Sequence, residues 1–436
     1  MRKVILASFV ITTSSLLVLI YEKGIVGDFG FGSGAILIAT SLAVLSLFSL
    51  YSMFAYQSDK REAIQKIWLS VTTTLLAYLI MDVVLGYFLI PRLSPPLLQD
   101  EYVHHALAPN TRSQFRSHEF AYIQDVNSLG LRGPELQLNK KPGTYRILML
   151  GDSFTMGKGV DDDKTFSVVL EQSLNRKNAA INGNWIFQVL NAGVDSYSPI
   201  LSFLQLKRMA APLDPDMVVF NLDMSDVIQE VAYRNAARYG SNGEIVGISS
   251  SAEGEYANGH DLALLVRDWI DRNLYVTRLI LYYAQKSGAG SSALTIRNTV
   301  IVANAQLLKH TLSDDTEDRT EQYQKLFASI LSMKKFCDSR AIRFILTVYP
   351  WGHQVNEREW TPGRRAFVSD GVPVSDKTVN AVEDFAKANS ITLLNVFGAF
   401  RSYKGERLLY YSYDMHWTPA GHELMARELD RVLSKQ

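Results

Sequence analysis

The sequence predicts an α/β fold, with a parallel sheet covered on both faces by helices, behind three membrane-spanning helices. Three observations carry this. From residue 145 to the carboxyl end, short apolar runs alternate with longer segments of helical periodicity, the pattern of βαβ units. One such run, 146–150, stops at Gly151-Asp152-Ser153. This sharp turn leaves a hydroxyl at the carboxyl end of a strand, where open α/β sheets place their ligands. The first ninety residues hold three long apolar runs, 4–21, 35–56 and 67–90. Each is about long enough to cross ~30 Å of hydrocarbon as a helix.

Composition sets the bounds. A chain of 436 residues accommodates two or three domains. With 44 basic and 44 acidic residues the formal charge is zero, so nothing in the balance argues for a nucleic-acid partner. A single cysteine, Cys337, excludes an internal disulfide framework and a cysteine-built zinc site. Its F-C-D setting reads as a buried helical position.

Residues 1–91 read as the membrane domain. No cleavage site follows the first run, and two further spans come after it, so it is a span rather than a signal peptide. Arg2 and Lys3 precede the first span, and the second loop carries Lys60, Arg61 and Lys66. That distribution places the amino terminus and the second loop in the cytoplasm and everything after Pro91 outside, in the periplasm or at the cell exterior. Asp82 interrupts the third span. An intramembrane carboxylate is a functional candidate, but its nearness to the span's end favours a packing or interfacial role.

Residues 92–140 read as a linker and arm. The four prolines Pro91, Pro95, Pro96 and Pro109 resist both helix and sheet, so 91–110 is expected to be a stiff spacer. His104 and His105 are adjacent, which suits one shared ion poorly; they read as solvent-exposed linker histidines. Residues 113–140 are expected to form an extended arm over the next domain. Arg132 in G-L-R-G is a candidate for bonding carbonyl or acidic groups at its rim, or for a plain salt bridge.

The domain 141–436 follows in order. After the serine turn come a helix over 165–176 and a strand over 185–190 ending at Asn191-Ala192-Gly193. A helix over 199–211 leads to a buried strand, 215–222. Residues 228–318 read as an insertion: a polar, glycine-rich loop over 240–259, a helical pattern over 262–285, and a break at 287–292. The aromatics Trp269, Tyr275, Tyr282 and Tyr283 of that helix read as core, with sugar stacking or membrane contact as the alternative. The sheet pattern then resumes with a helix over 318–340 and a strand over 343–348. Trp351, His353 and Gln354 lie just beyond that strand's carboxyl end and are candidates for substrate contact. A helix over 376–388, a strand over 391–396 and a final helix from Pro419 to about 433 complete the domain.

Ser153 needs a base, because a hydroxyl is a weak nucleophile at neutral pH. Histidine suits that role. In Asp414-Met415-His416 the aspartate can orient the ring and stabilise its protonated form. His353 is a competing base that lacks an adjacent carboxylate, and His422 on the last helix reads as structural. The Ser153 backbone N–H, at a helix start, is a candidate donor to the charge that acyl transfer builds on a carbonyl oxygen.

Gly151-Asp152-Ser153-Phe154, Asn191-Ala192-Gly193 and Asp414-Met415-His416, in that order, together resemble the SGNH (GDSL-like) hydrolase family. The closest likeness is to its branch of membrane-linked polysaccharide O-acetyltransferases and acetylesterases, including alginate acetylation proteins. Asn127-Ser128-Leu129-Gly130-Leu131-Arg132-Gly133 resembles the segment ahead of G-D-S-F in that branch. The resemblance spans about 125–436, with a poorly matched middle. It implies a flavodoxin-like three-layer domain, a Ser153 nucleophile with His416 and Asp414, no cofactor, and a Gly193 N–H in the oxyanion hole. For Gly193 a plain strand-to-helix turn is the competing reading. The family's third block supplies an asparagine where this chain has Asp223-Met224-Ser225-Asp226. Ser225 is the aligned donor, and Asn221 inside the strand is a poor substitute. The short D-x-H spacing agrees with the acetylation branch.

The resemblance implies acyl-ester chemistry on a cell-envelope or extracellular polysaccharide, or another O-acylated glycan. As a transferase, the protein would draw acetyl groups from a partner membrane acyltransferase. A lipid or small-ester esterase and a non-catalytic carbohydrate-binding assembly protein are the alternatives.

Overall fold

In the computed structural model, residues 97–116, 119–241, 243–248, 307–368 and 371–433 are described, with isolated positions between 68 and 78. The three expected spans, Asp82, the helical pattern over 262–285 and the break at 287–292 lie outside the described residues, apart from those isolated positions. Among the described residues no helix is long and apolar enough to cross a membrane. The chain divides into two units. The first, Met1–Pro91 with His260–Arg297, falls almost wholly outside the described residues; the second is Arg92–Gly259 with Asn298–Gln436.

The second unit opens with strands β1 (Leu97–Asp100), β2 (His104–Leu107), β3 (Thr111–Arg116) and β4 (Ala121–Val126), which pair as two antiparallel hairpins. Strand β5 (Thr144–Leu150) is followed by the short helix α1 (Ser153–Met156), helix α2 (Phe166–Ala180) and strand β6 (Ile186–Asn191). Helix α3 (Pro199–Leu213), strand β7 (Met217–Leu222), helix α4 (Asp226–Asn235) and the small hairpin β8 (Ala237–Tyr239) and β9 (Ile245–Ile248) come next. The remainder is helix α5 (Thr320–Asp338), strand β10 (Arg343–Val348), helices α6 (Gly352–Val355) and α7 (Lys377–Ala388), strand β11 (Thr392–Asn395), and helices α8 (Phe397–Arg401) and α9 (Pro419–Leu433).

Strands β5, β6, β7, β10 and β11 form one parallel sheet in the order β11-β10-β7-β5-β6. Counted within the sheet this is 2-1-3-4-5, the flavodoxin-like order, whose direction reverses between β5 and β7. Right-handed crossovers running opposite ways from β5 put α2 and α3 on opposite faces. Helix α9 packs on α2, while α3, α4 and α5 pack together. Phe385 of α7 stacks on Phe327 of α5 at 4.2 Å between ring centroids. Covered on both faces, β7 is buried at every position, which is why its sequence is a near-continuous apolar run.

The expectation of a spacer without regular structure over 91–110 is corrected: β1 and β2 pair there, Leu97 opposite Leu107 and Asp100 opposite His104. The prolines flank these strands instead of interrupting them, so no ladder hydrogen bond is lost. His104 and His105 are not exposed. Their Nδ1 atoms lie 2.8 Å apart, and His105 Nε2 donates to the Asp195 carbonyl at 2.7 Å. The arm over 113–140 is a folded hairpin followed by irregular chain. Buried Arg146 in β5 holds that chain by donating to the carbonyls of Gln137 at 2.7 Å and Leu138 at 3.1 Å.

Candidate active site

Strand β5 delivers the chain to Gly151, whose φ of +150° lies in a region L side chains avoid; a Cβ there would sit 2.3 Å from Thr155 Oγ1. The next residue, Asp152, caps α1 by accepting the Phe154 N–H at 2.9 Å and also accepts the Tyr349 hydroxyl at 3.1 Å. Burial, with the nearby Asp223 carboxyl, raises the Asp152 carboxyl well above the usual range. Ser153 thus stands at the first position of a helix, beside the reversal point of the sheet.

The other half of the site arrives 263 residues later. Ser153 Oγ and His416 Nε2 are 2.7 Å apart, and His416 Nδ1 is hydrogen-bonded to Asp414 Oδ1. The Asp414 carboxylate also accepts the His416 backbone N–H at 2.9 Å. Ser153 and His416 are buried, and the Phe154 ring lies 4.8 Å from the imidazole. Burial alone would raise the Asp414 carboxyl. The His416 charge and hydrogen bond, with the Lys158 ammonium, hold it below the usual carboxylate range. A serine, a base within reach of its proton and an ionised carboxylate on the far ring nitrogen can form and break acyl esters.

Solved structures similar to this chain were found at low identity. A GDSL-like lipase from Bacteroides thetaiotaomicron has 16% identity over 69% of this chain and 92% of its own, with a TM-score of 0.31. A psychrotrophic esterase from Pseudoalteromonas sp. has 11% identity over 66% of this chain and 97% of its own, at 0.32. An acetyl xylan esterase has 11% identity over 66% of this chain and 99% of its own, at 0.33. No family profile and no curated protein matches the sequence. Likenesses of this size carry no inference about activity, which rests on the geometry.

That geometry corrects several expectations. The Gly193 N–H is donated to Asn191 Oδ1 at 3.0 Å. A Cβ on Gly193 would lie 2.1 Å from the Met156 nitrogen, so the glycine lets the end of β6 pass against the backbone of α1. Ser225 donates both its hydroxyl and its N–H to Asp223 Oδ2. Asn221 Nδ2 donates to the Leu150 carbonyl at 3.2 Å, inside the sheet as expected. The three residues beyond β10 are buried and bonded within the protein, although His353 Nδ1 has no hydrogen-bond partner among the described residues. Trp351 Nε1 donates to Asp223, Gln354 Oε1 accepts the Trp351 N–H at 3.0 Å, and His353 Nε2 pairs with Thr311 Oγ1 at 2.8 Å. The Trp351 ring lies 5.8 Å from that of Phe154, and burial pushes the His353 imidazole down to about 3. His422 is structural as expected: its Nδ1 accepts the Phe166 N–H at 3.3 Å.

Arg132 bonds both carbonyls and an acid. It donates to the carbonyls of Met156 at 2.9 Å, Gly157 at 2.6 Å and Val160 at 2.6 Å, and to Asp162 Oδ1 at 2.7 Å. Sequence reading missed the Lys158–Asp195 ion pair at 3.4 Å, whose members reach the charges of Asp414 and His416 respectively. It also missed Ser196. Val194 N–H donates to the Gly151 carbonyl at 3.1 Å, fixing this loop beside the nucleophile turn. Ser196 adopts φ +61° and is exposed. Among the described residues, no hydrogen bond engages the N–H of Ser153 or of Ser196. The left-handed serine carries a signal only in hindsight: glycine is the ordinary residue at such a φ.

Proposed function

We propose that this chain is an SGNH-type serine acyl-ester enzyme, anchored in the cytoplasmic membrane with its catalytic unit outside. It would act as an O-acetyltransferase or O-acetylesterase on a cell-envelope or extracellular polysaccharide. The observation that carries the chemistry is the 2.7 Å contact between Ser153 Oγ and His416 Nε2, with Asp414 on the opposite ring nitrogen. Ser153 Oγ attacks the acyl carbonyl carbon as its proton passes to His416 Nε2. The bond from that carbon to the leaving alcohol oxygen breaks, and His416 returns the proton to the departing oxygen. Water or a sugar hydroxyl then attacks the acyl carbon and gives its proton to His416; the bond from that carbon to Ser153 Oγ breaks, and His416 Nε2 returns the proton to Oγ, which restores the free serine. The N–H groups of Ser153 and Ser196 are the donors we assign to the oxyanion, since those of Gly193 and Ser225 are engaged elsewhere.

The membrane setting and the glycan substrate rest on the three apolar runs, the lysine and arginine distribution, and the sequence resemblance. The decisive test uses the full chain in detergent with p-nitrophenyl acetate, with and without oligosaccharide acceptors, beside Ser153→Ala. Ser153-dependent nitrophenol release with mass gain on the glycan makes it a transferase. Release without glycan gain makes it an esterase. Absence of Ser153-dependent turnover with any acyl donor sinks the catalytic reading in favour of a carbohydrate-binding role.

A further inference from the structure

We propose that Glu119, at the tip of the β3–β4 hairpin, is a positioning residue for the triad, holding the loop that carries Asp414 and His416. This rests on the catalytic reading above and makes the hairpin part of the catalytic unit. The Glu119 carboxylate accepts the Tyr413 N–H at 2.9 and 3.0 Å and the Asp414 N–H at 2.8 Å, across nearly three hundred residues of chain. These are backbone donors of an irregular loop, which no strand or helix satisfies. An ionised acceptor makes the stronger kind of hydrogen bond to them. Asp414 is therefore held from both sides: its N–H by Glu119 and its carboxylate by the His416 ring and N–H.

A second set of contacts points the same way. Phe120 lies 4.9 Å from the Tyr411 ring, and the Tyr411 hydroxyl donates to the Gly159 carbonyl at 2.7 Å. In β4, the Ile123 N–H donates to Asp161 Oδ1 and the Asp125 N–H to Asp162 Oδ2, both at 3.0 Å. One hairpin thus touches the loop that follows the nucleophile and the loop that bears its base. The distance between those loops sets the Ser153–His416 contact, and a misplacement of about 1 Å can cost about 10²-fold in rate. Both loops lie beyond the carboxyl ends of the strands, where the hairpin bridges them beside the bonds that Glu359, Trp360 and Gly363 make to 409–413.

The test uses the full chain carrying Glu119→Ala, Glu119→Gln or Glu119→Asp. It measures kcat per titrated active site with p-nitrophenyl acetate, KM, and hydrogen exchange of the amides over 411–417. The expected result for Glu119→Ala is a fall of about 10²-fold in kcat, with KM little changed and exchange over 411–417 accelerated. Glu119→Gln keeps one neutral acceptor and should recover part of both. A role in stability alone would lower the melting temperature and the titratable fraction while leaving kcat per site intact, which would overturn the proposal. So would unchanged exchange over 411–417. A wild-type chain without Ser153-dependent turnover removes the catalytic reading instead, and the clamp itself then stands or falls on the exchange data. If Glu119→Ala does not fold, the Gln and Asp variants carry the same comparison.

Discussion

Replacing Arg132 by leucine tests how the nucleophile is held. The guanidinium is buried and bonds three backbone carbonyls between Met156 and Val160, plus the Asp162 carboxylate. Leucine fills much of the volume and supplies no donor. Each buried acceptor left unsatisfied costs about 1–3 kcal/mol, which would sum to about 3–9 kcal/mol over the three carbonyls. The loop can relax, and Asp162, a quarter exposed, can regain water. Breaking a buried charge pair from one side costs about 3–5 kcal/mol, and that is the size expected here. The unit Arg92–Gly259 with Asn298–Gln436 is large enough that, at about 2.1 cal/mol/K of unfolding entropy per residue, 1 kcal/mol moves the thermal midpoint by about 1.5 °C, so the shift should be roughly 5–8 °C. The assay is thermal unfolding of the full chain, read beside the rate at which a fluorophosphonate labels Ser153 well below the midpoint. Labelling should slow, because the freed carbonyls belong to the loop that ends α1. A shift under about 2 °C with unchanged labelling would refute the view that this arginine holds the nucleophile loop. Arg132→Lys should recover only part of the loss, since one ammonium cannot span the four acceptors.

Asp414→Asn should lower kcat by about 10⁴-fold with the fold intact, the size expected when a triad loses its orienting carboxylate; steady-state kinetics and circular dichroism check both halves. Ser225→Ala should reduce turnover by less than the about 10²–10³-fold loss of an oxyanion donor, because its hydroxyl serves Asp223; a loss of that size would return Ser225 to the oxyanion hole. Gly193→Ala should destabilise by about 1–3 kcal/mol through overpacking, since its Cβ meets the Met156 nitrogen at 2.1 Å, and denaturant midpoints check it. Acid should destabilise the catalytic unit. Burial holds the imidazoles of His353 and His422 down to about 3 and those of His104 and His310 to about 4. The unfolded chain takes up these protons first, near pH 6.5, so stability is full above that pH and lost as pH falls toward 4 and 3. Thermal midpoints from pH 8 to 4 should drop steeply below about 6.5, and a flat profile would contradict neutral burial.

The three residues that meet at the candidate site, Ser153, Asp414 and His416, were legible because each sits in a short local signal. Gly151-Asp152-Ser153 stops an apolar run, and Asp414-Met415-His416 precedes a proline that opens a helix. Strand and helix positions followed from periodicity, which is local too. The predicted strand over 343–348 coincides with β10, and the final helix starts at Pro419 and ends at Leu433. The readings that failed were those needing a partner's position. Gly193 and Ser225 are adjacent in sequence to the right elements, yet each spends its N–H on an acceptor two residues away. Trp351, His353 and Gln354 follow the right strand end, but their polar atoms point into the protein.

By itself the sequence determined the α/β alternation, the turn that carries the serine and the pairing of aspartate with histidine, because each is written within a few consecutive residues. Tertiary structure alone decided that Ser153 meets His416, that Arg132 and Glu119 hold the two loops that make them meet, and that the N–H groups of Gly193 and Ser225 are spent on Asn191 and Asp223. A hydrogen bond is satisfied by whichever acceptor the fold brings within about 3 Å, and for these groups that acceptor can lie anywhere along the chain.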